Sequence, residues 1–158
     1  MTQAAVRPGS LCFEQVEVGQ VLEGRLTVTE SHMVLAAGIF GDFAPLYVDA
    51  EFASQTRFGA CPAPGALLVG IMGGVLSKWF GKYALGVQEQ HAEFKAPVLA
   101  DATVATRWEV EERHPDASLG GGVVILGGEC RAARDVLAVV ARVSLVVGAS
   151  VAGPPDMS

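Results

Sequence analysis

Ala66-Leu67-Leu68-Val69-Gly70-Ile71-Met72-Gly73-Gly74-Val75-Leu76-Ser77-Lys78-Trp79-Phe80 is apolar on every side until Ser77 and Lys78. A helix that is hydrophobic all round is one buried all round. In a chain of 158 residues with no other long helical pattern, a sheet must wrap it. The preceding Phe58 to Gly65 carries Pro62, Pro64, Gly59 and Gly65 and reads as irregular chain leading into that helix.

The sheet is legible downstream. Val87 to Phe94, Ala102 to Glu112, Gly122 to Ala132 and Val136 to Val147 all read as strands. In the second, Ala102, Val104, Thr106, Trp108 and Val110 alternate with Thr103, Ala105, Arg107, Glu109 and Glu111, the period of a half-buried strand. Arg134-Asp135 between the last two fits a tight hairpin. The final strand is apolar at nearly every position, as expected if its second face meets another molecule, and a dimer interface would explain it. Gly120-Gly121-Gly122 reads as a turn, since nothing around it makes a phosphate loop.

Upstream, Val16 to Val28 carries strand signals around Val18-Gly19-Gln20, with Val21, Leu22, Leu26 and Val28 expected inside. Thr29, Glu30 and Ser31 offer N-cap chemistry for a short helix in which Met33, Val34, Ala37 and Phe40 recur at helical spacing and which Gly41 ends. From Gly41 to Arg57 the reading is loop plus a short helix capped by Asp49, with Phe52 and Ala53 turned inward. One enclosed helix and an antiparallel sheet make an α+β layer structure. Residues 1–158 read as a single domain, with 1–10 and 149–158 expected as flexible tails.

Composition narrows the function. The net charge of -6 and the lack of a dense basic stripe argue against a nucleic-acid partner. Cys12, Cys61 and Cys130 are odd in number and widely spaced, supporting neither a disulfide frame nor a zinc site, so no metal is expected. The apolar run from Ala60 to Leu76 is too broken by prolines and glycines for a membrane span. Only Arg7 charges the start of the chain, with no apolar stretch before Leu11, so no signal peptide is read and a cytoplasmic location is expected.

The stretch Ala37-Gly38-Ile39-Phe40-Gly41-Asp42-Phe43-Ala44-Pro45-Leu46-Tyr47, followed by Val48-Asp49-Ala50-Glu51-Phe52-Ala53, carries the chemistry. It resembles the signature of the MaoC-like dehydratases and R-specific enoyl-CoA hydratases. That signature is Gly-Asp-x-Asn-Pro, an aliphatic, His, five residues, then Ala or Ser. Gly41, Asp42, Pro45, Leu46 and Ala53 fit at the right spacing. Thr56-Arg57-Phe58-Gly59 and Phe94-Lys95-Ala96-Pro97-Val98 agree in order, so the resemblance runs from about Phe13 to Val147.

The resemblance implies a hot-dog fold, an antiparallel sheet wrapped around a long central helix, and a CoA or acyl-carrier thioester substrate. It implies water addition across a 2-enoyl double bond, or the reverse, without a cofactor. Such chemistry needs a base for water and donors for the enolate-like oxygen. By position the family's elements map to Asp42 as general base, Tyr47, and the backbone amide of Gly65 at the helix start. Ala44, Arg57, Pro64, Gly73 and Lys95 follow as substrate-binding candidates, Arg57 and Lys95 as partners for CoA phosphates. A homodimer is expected, with neither nucleic acid nor membrane as partner.

Four departures cluster at that site. Ala44 stands for Asn, Tyr47 for His, Pro64 for a frequent His, and Gly73 for a serine of some members. A phenol positions water or donates a hydrogen bond but is a far poorer base than an imidazole near neutral pH. Two alternatives therefore stand beside the hydratase. One is a catalytically impaired acyl-CoA-binding or partner subunit, the other a hot-dog thioesterase. Gly70, Gly73 and Gly74 each cost the helix about 1 kcal/mol relative to alanine. Close packing explains Gly70, and Gly73 widens the pocket. His32, His91 and His114 read as structural or surface residues.

Overall fold

A computed structural model describes residues 7–150. Helix α4, Gly65–Phe80, lies against one face of a five-stranded antiparallel sheet. The strands are β1 Val21–Thr27, β2 Ala84–Phe94, β3 Thr103–Asp116, β4 Gly121–Ala132 and β5 Val136–Gly148, in the order β1-β3-β4-β5-β2. This is the α+β arrangement expected, and each downstream strand lies within a few residues of its reading. The hairpin between β4 and β5 turns at Arg134 and Asp135, with φ of 58° and 62°. Such a left-handed pair matches the twist of the flanking strands.

The core sits between the sheet and one side of α4. Leu68, Met72, Val75, Leu76 and Phe80 are the buried residues of the helix. They meet alternate residues of the sheet, among them Leu22, Val104, Trp108, Leu126 and Val143. Period 3.6 in the helix and period 2 in the strands converge on one apolar layer.

The expectation that α4 is covered all round is corrected within one chain. Ala66, Gly70, Gly74, Ser77 and Lys78 are exposed, because the sheet curls over only one side. A methyl group built at Gly70, Gly73 or Gly74 meets nothing within 4 Å, so the packing expected of Gly70 is not made against its own sheet. Val21, Leu26 and Phe52 were expected inside and are exposed at 37%, 38% and 49%. Val21 points to the outer face of an edge strand. Leu26 shares the inner face of β1 with Leu22 but overhangs the uncovered flank of α4, in a cleft with Ile71 and Gly74.

Between β1 and α4 the chain forms three short helices, α1 Glu30–Phe40, α2 Pro45–Val48 and α3 Ala50–Ser54. Thr29 caps α1, its hydroxyl accepting from His32 N at 3.4 Å. Gly41 ends α1 in the left-handed region at φ 65°, as its position implied. Met33, Ala36 and Ala37 are buried, whereas Val34 and Phe40 are exposed. Asp49 caps α3, its Oδ1 accepting from Phe52 N at 2.9 Å.

The tails expected over 1–10 and 149–158 lie outside the described residues except at 7–10 and 149–150. There Gly9 N donates to Trp79 O at 3.0 Å and Ala149 N to Gly120 O at 2.8 Å. Of the glycine run, Gly120 alone lies in the turn, since β4 starts at Gly121. No helix among the described residues is long and apolar enough to cross a membrane.

Candidate functional site

Asp42 follows the left-handed Gly41 and is half-buried. Backbone bonds build its loop. Asp42 N donates to Ala37 O at 3.1 Å, and Tyr47 N to Ala44 O at 2.8 Å. The Asp42 carboxylate joins them, Oδ1 accepting from Ala44 N at 3.3 Å. The amide of Ala44 thus orders the loop where the family signature carries an asparagine. Asp42 Oδ2 has no hydrogen-bond partner among the described residues.

Tyr47 lies on α2 and turns into a groove of about 550 Å³. Met33 and Val34 of α1, Val48, Cys61 and Leu99 line it with the tyrosine, and Glu30 is the single carboxylate of the lining. Residues 99–100 reach α1 because Asp101 N donates to Val28 O at 2.6 Å and Val28 N to Ala102 O at 2.9 Å. Those two bonds continue the β1–β3 pairing into the turn. Neither Asp42 nor Gly65 lines this groove. Cys61, Met33 and Leu99 carry no local motif that marks them as groove residues, and only tertiary pairing collects them.

Gly65 opens α4 behind the buried Pro64, with no side-chain cap. The Gly65 and Ala66 amides find no acceptor among the described residues, whereas Leu67 N and Leu68 N both reach Pro64 O. These are the orphan donors of a helix start, at the positive end of its dipole. A methyl group at Gly65 would fall 2.8 Å from Cζ of Phe94. The ring thus packs closely on Gly65, and any side chain there would have to push it aside.

The remaining candidates are dispersed. Arg57 is exposed and holds its guanidinium 4.8 Å from the Phe58 ring centroid. Lys95 is ion-paired with Glu93. Gly73 lies half-exposed on the open flank of α4. His32 is structural, its Nδ1 taking a hydrogen bond from Thr29 N at 3.0 Å. His91 lies 3.6 Å from Glu93 and His114 lies 2.8 Å from Glu112, both pairs at the surface.

A family model described as MaoC like domain matches residues 14–120. The chain is 32% identical over 127 residues to a 3-hydroxybutyryl-CoA dehydratase of Methylorubrum extorquens, covering 75% of this chain and 81% of that protein. It is 35% identical over 96 residues to an (R)-specific enoyl-CoA hydratase of Rhodospirillum rubrum, covering 60% of this chain and 66% of that protein. Its fold matches an unliganded R-hydratase from Pseudomonas aeruginosa with a TM-score of 0.77 at 22% identity, over 94% of this chain and 96% of that one.

Proposed function

The chain belongs to the MaoC-like dehydratase family and has its hot-dog fold, and from that premise we propose that it adds water to, or removes it from, the acyl chain of a CoA-type thioester. Asp42 is the general base. Its carboxylate takes a proton from water as the oxygen adds to C3 of the enoyl group. Electrons move onto the thioester oxygen, held by the Gly65 amide, and a proton returned to C2 completes the addition. Tyr47 serves as a hydrogen-bond donor, and Arg57 and Lys95 meet the phosphates of the carrier.

The observation that carries this reading is the state of Asp42. One carboxylate oxygen is anchored by Ala44 N at 3.3 Å, and the other has no protein partner among the described residues. A half-buried carboxylate fixed by one oxygen is held in place yet has an acceptor left for water.

The active unit is a homodimer. In one chain neither Asp42 nor Gly65 lines the groove that takes Tyr47, and α4 presents an uncovered face. The outer edge of β2 is unpaired, and its Leu85, Val87 and Phe94 are exposed at 56%, 55% and 54%. An eleven-residue edge strand with an apolar flank is a ready template for a second chain. A second copy covers these faces and completes the site.

The test is a turnover screen over enoyl and 3-hydroxyacyl thioesters, read by mass spectrometry. A mass change of one water on any member supports the hydratase. Release of free thiol instead would assign a thioesterase.

A second reading rests on Tyr47, which lines a groove that Asp42 does not share. On that reading the chain binds acyl-CoA as a partner of an active homologue. Thermal protection by acyl-CoA without turnover, together with hydration restored by Tyr47→His plus Ala44→Asn, would establish it.

A further inference from the structure

We propose that the outer face of the sheet carries an anion site, a hollow over Ala105 that takes a phosphate dianion, independently of the thioester reading above. Strand register builds it. Ala105 of β3 pairs with Arg25 of β1 on one side and with Arg131 of β4 on the other. Arg107 follows two residues along β3 and so shares their face. That face is the outer one. Leu22 and Trp108 are buried in the core, and a methyl group at Gly24 would run into Val75 of α4. Side chains alternate along each strand, so Arg25, Ala105, Arg107 and Arg131 point away from the helix. One methyl side chain among three long ones leaves a gap. A hollow of about 400 Å³ lies there, lined by Arg25, Arg107, Arg131, Glu23 and Glu129 around Ala105.

Three guanidinium groups meet two carboxylates in that lining, a local excess of cation in a chain of net charge -6. Arg107 lies 2.9 Å from Glu109, and Arg131 lies 2.9 Å from Glu129 and 3.6 Å from Asp135. These pairs steady two of the arginines, and each guanidinium keeps further N–H donors for a ligand. Arg25 is exposed and has no hydrogen bond, ion pair or ring contact among the described residues. It is the uncompensated charge of the hollow. Arg25 and Arg131 repel each other across Ala105, and an anion seated between them turns that repulsion into attraction. Planar forks of N–H donors match the oxygens of phosphate. Its double charge suits three cations better than a carboxylate does. The hollow is wider than a bare phosphate, which leaves room for the group that a monoester carries.

The experiment titrates inorganic phosphate into the full-length protein, read by calorimetry and by melting temperature. Saturable binding and a raised melting temperature are expected with phosphate, and neither with chloride at matched ionic strength. Arg25→Gln alters an exposed side chain with no partner to lose, so it should fold normally. It should bind phosphate about tenfold more weakly, the scale of one charge-assisted hydrogen bond. Glu23→Gln, which removes a like charge from the lining, should bind it more tightly. Arg57→Gln should bind as the wild type does. Absence of saturable binding in the wild type overturns the proposal. So does unchanged affinity in Arg25→Gln, or loss of binding in Arg57→Gln instead. Coenzyme A and dephospho-coenzyme A then distinguish the source of the phosphate. A preference for coenzyme A that Arg25→Gln removes identifies the 3′-phosphate of the carrier, whereas equal binding of the two identifies free phosphate or another monoester.

Discussion

Trp108 of β3 donates its indole N–H to the backbone carbonyl of Met72 at 3.0 Å, wholly inside the core. One bond thereby ties the centre of the sheet to the centre of α4, and the ring fills the space between them. Met72 O belongs to the helix ladder as well, so removing the donor alone should cost little. Trp108→Phe is expected to lose about 2 kcal/mol, from the neutral hydrogen bond and the void left by the smaller ring together. Trp108→Ala should lose about 3–5 kcal/mol, because a cavity replaces the ring. Urea unfolding of the two variants measures both.

The contact of Gly65 with Phe94 makes a second prediction. Gly65→Ala brings a methyl group to 2.8 Å from a half-exposed ring that can swing aside, and should destabilise the chain by about 1 kcal/mol, the low end for overpacking. In the Phe94→Ala background the same substitution should be nearly neutral. A double-mutant cycle with additive effects would show that the ring and the glycine do not meet.

Gly70 and Gly74 test the proposed dimer. Neither faces any atom within 4 Å, so within one chain alanine should add about 1 kcal/mol of helix propensity at each. If a second copy packs on that flank, both substitutions should instead shift the equilibrium toward monomer. Sedimentation velocity over a concentration series reads the outcome, and an unchanged dimer population removes α4 from the interface.

The cysteines give a chemical readout of burial. Cys130 is buried, and loss of solvent pushes its thiol up from the ordinary value, an effect its contact with Thr106 only partly offsets. Its contribution to stability is therefore intact below the unfolded thiol pKa, about 8.5, and is lost as pH rises through the higher folded value. The melting temperature should fall on the alkaline side of that point. A Cys130→Ala variant should show a shallower fall. At pH 8 iodoacetamide should label the half-buried Cys61, leaving Cys12 and Cys130 protected until unfolding.

The sheet and its helix were readable because each is periodic over many residues. Alternation from Thr103 to Val110 and the apolar run from Ala66 to Phe80 both face one core, and Gly41 stops α1 by backbone geometry alone. Periodicity does not report what covers the second face. Leu26, Phe52 and the flank of α4 therefore read as interior, although one chain leaves them open. Within the site, the Gly-Asp spacing located Asp42, yet its bond to Ala44 N needed the loop itself. The approach of Phe94 to Gly65 joins residues brought together by sheet pairing, which no local pattern announces.

Asp42 as base is tested most directly by Asp42→Asn assayed on crotonyl-CoA, followed by loss of the enoyl absorbance. Asparagine retains the Oδ1 that accepts from Ala44 N, so the loop and melting temperature should be preserved. The wild type should hydrate the substrate and the variant should be slower by about a thousandfold, within the range for removing a general base. A variant that folds and hydrates at the wild-type rate would contradict the assignment.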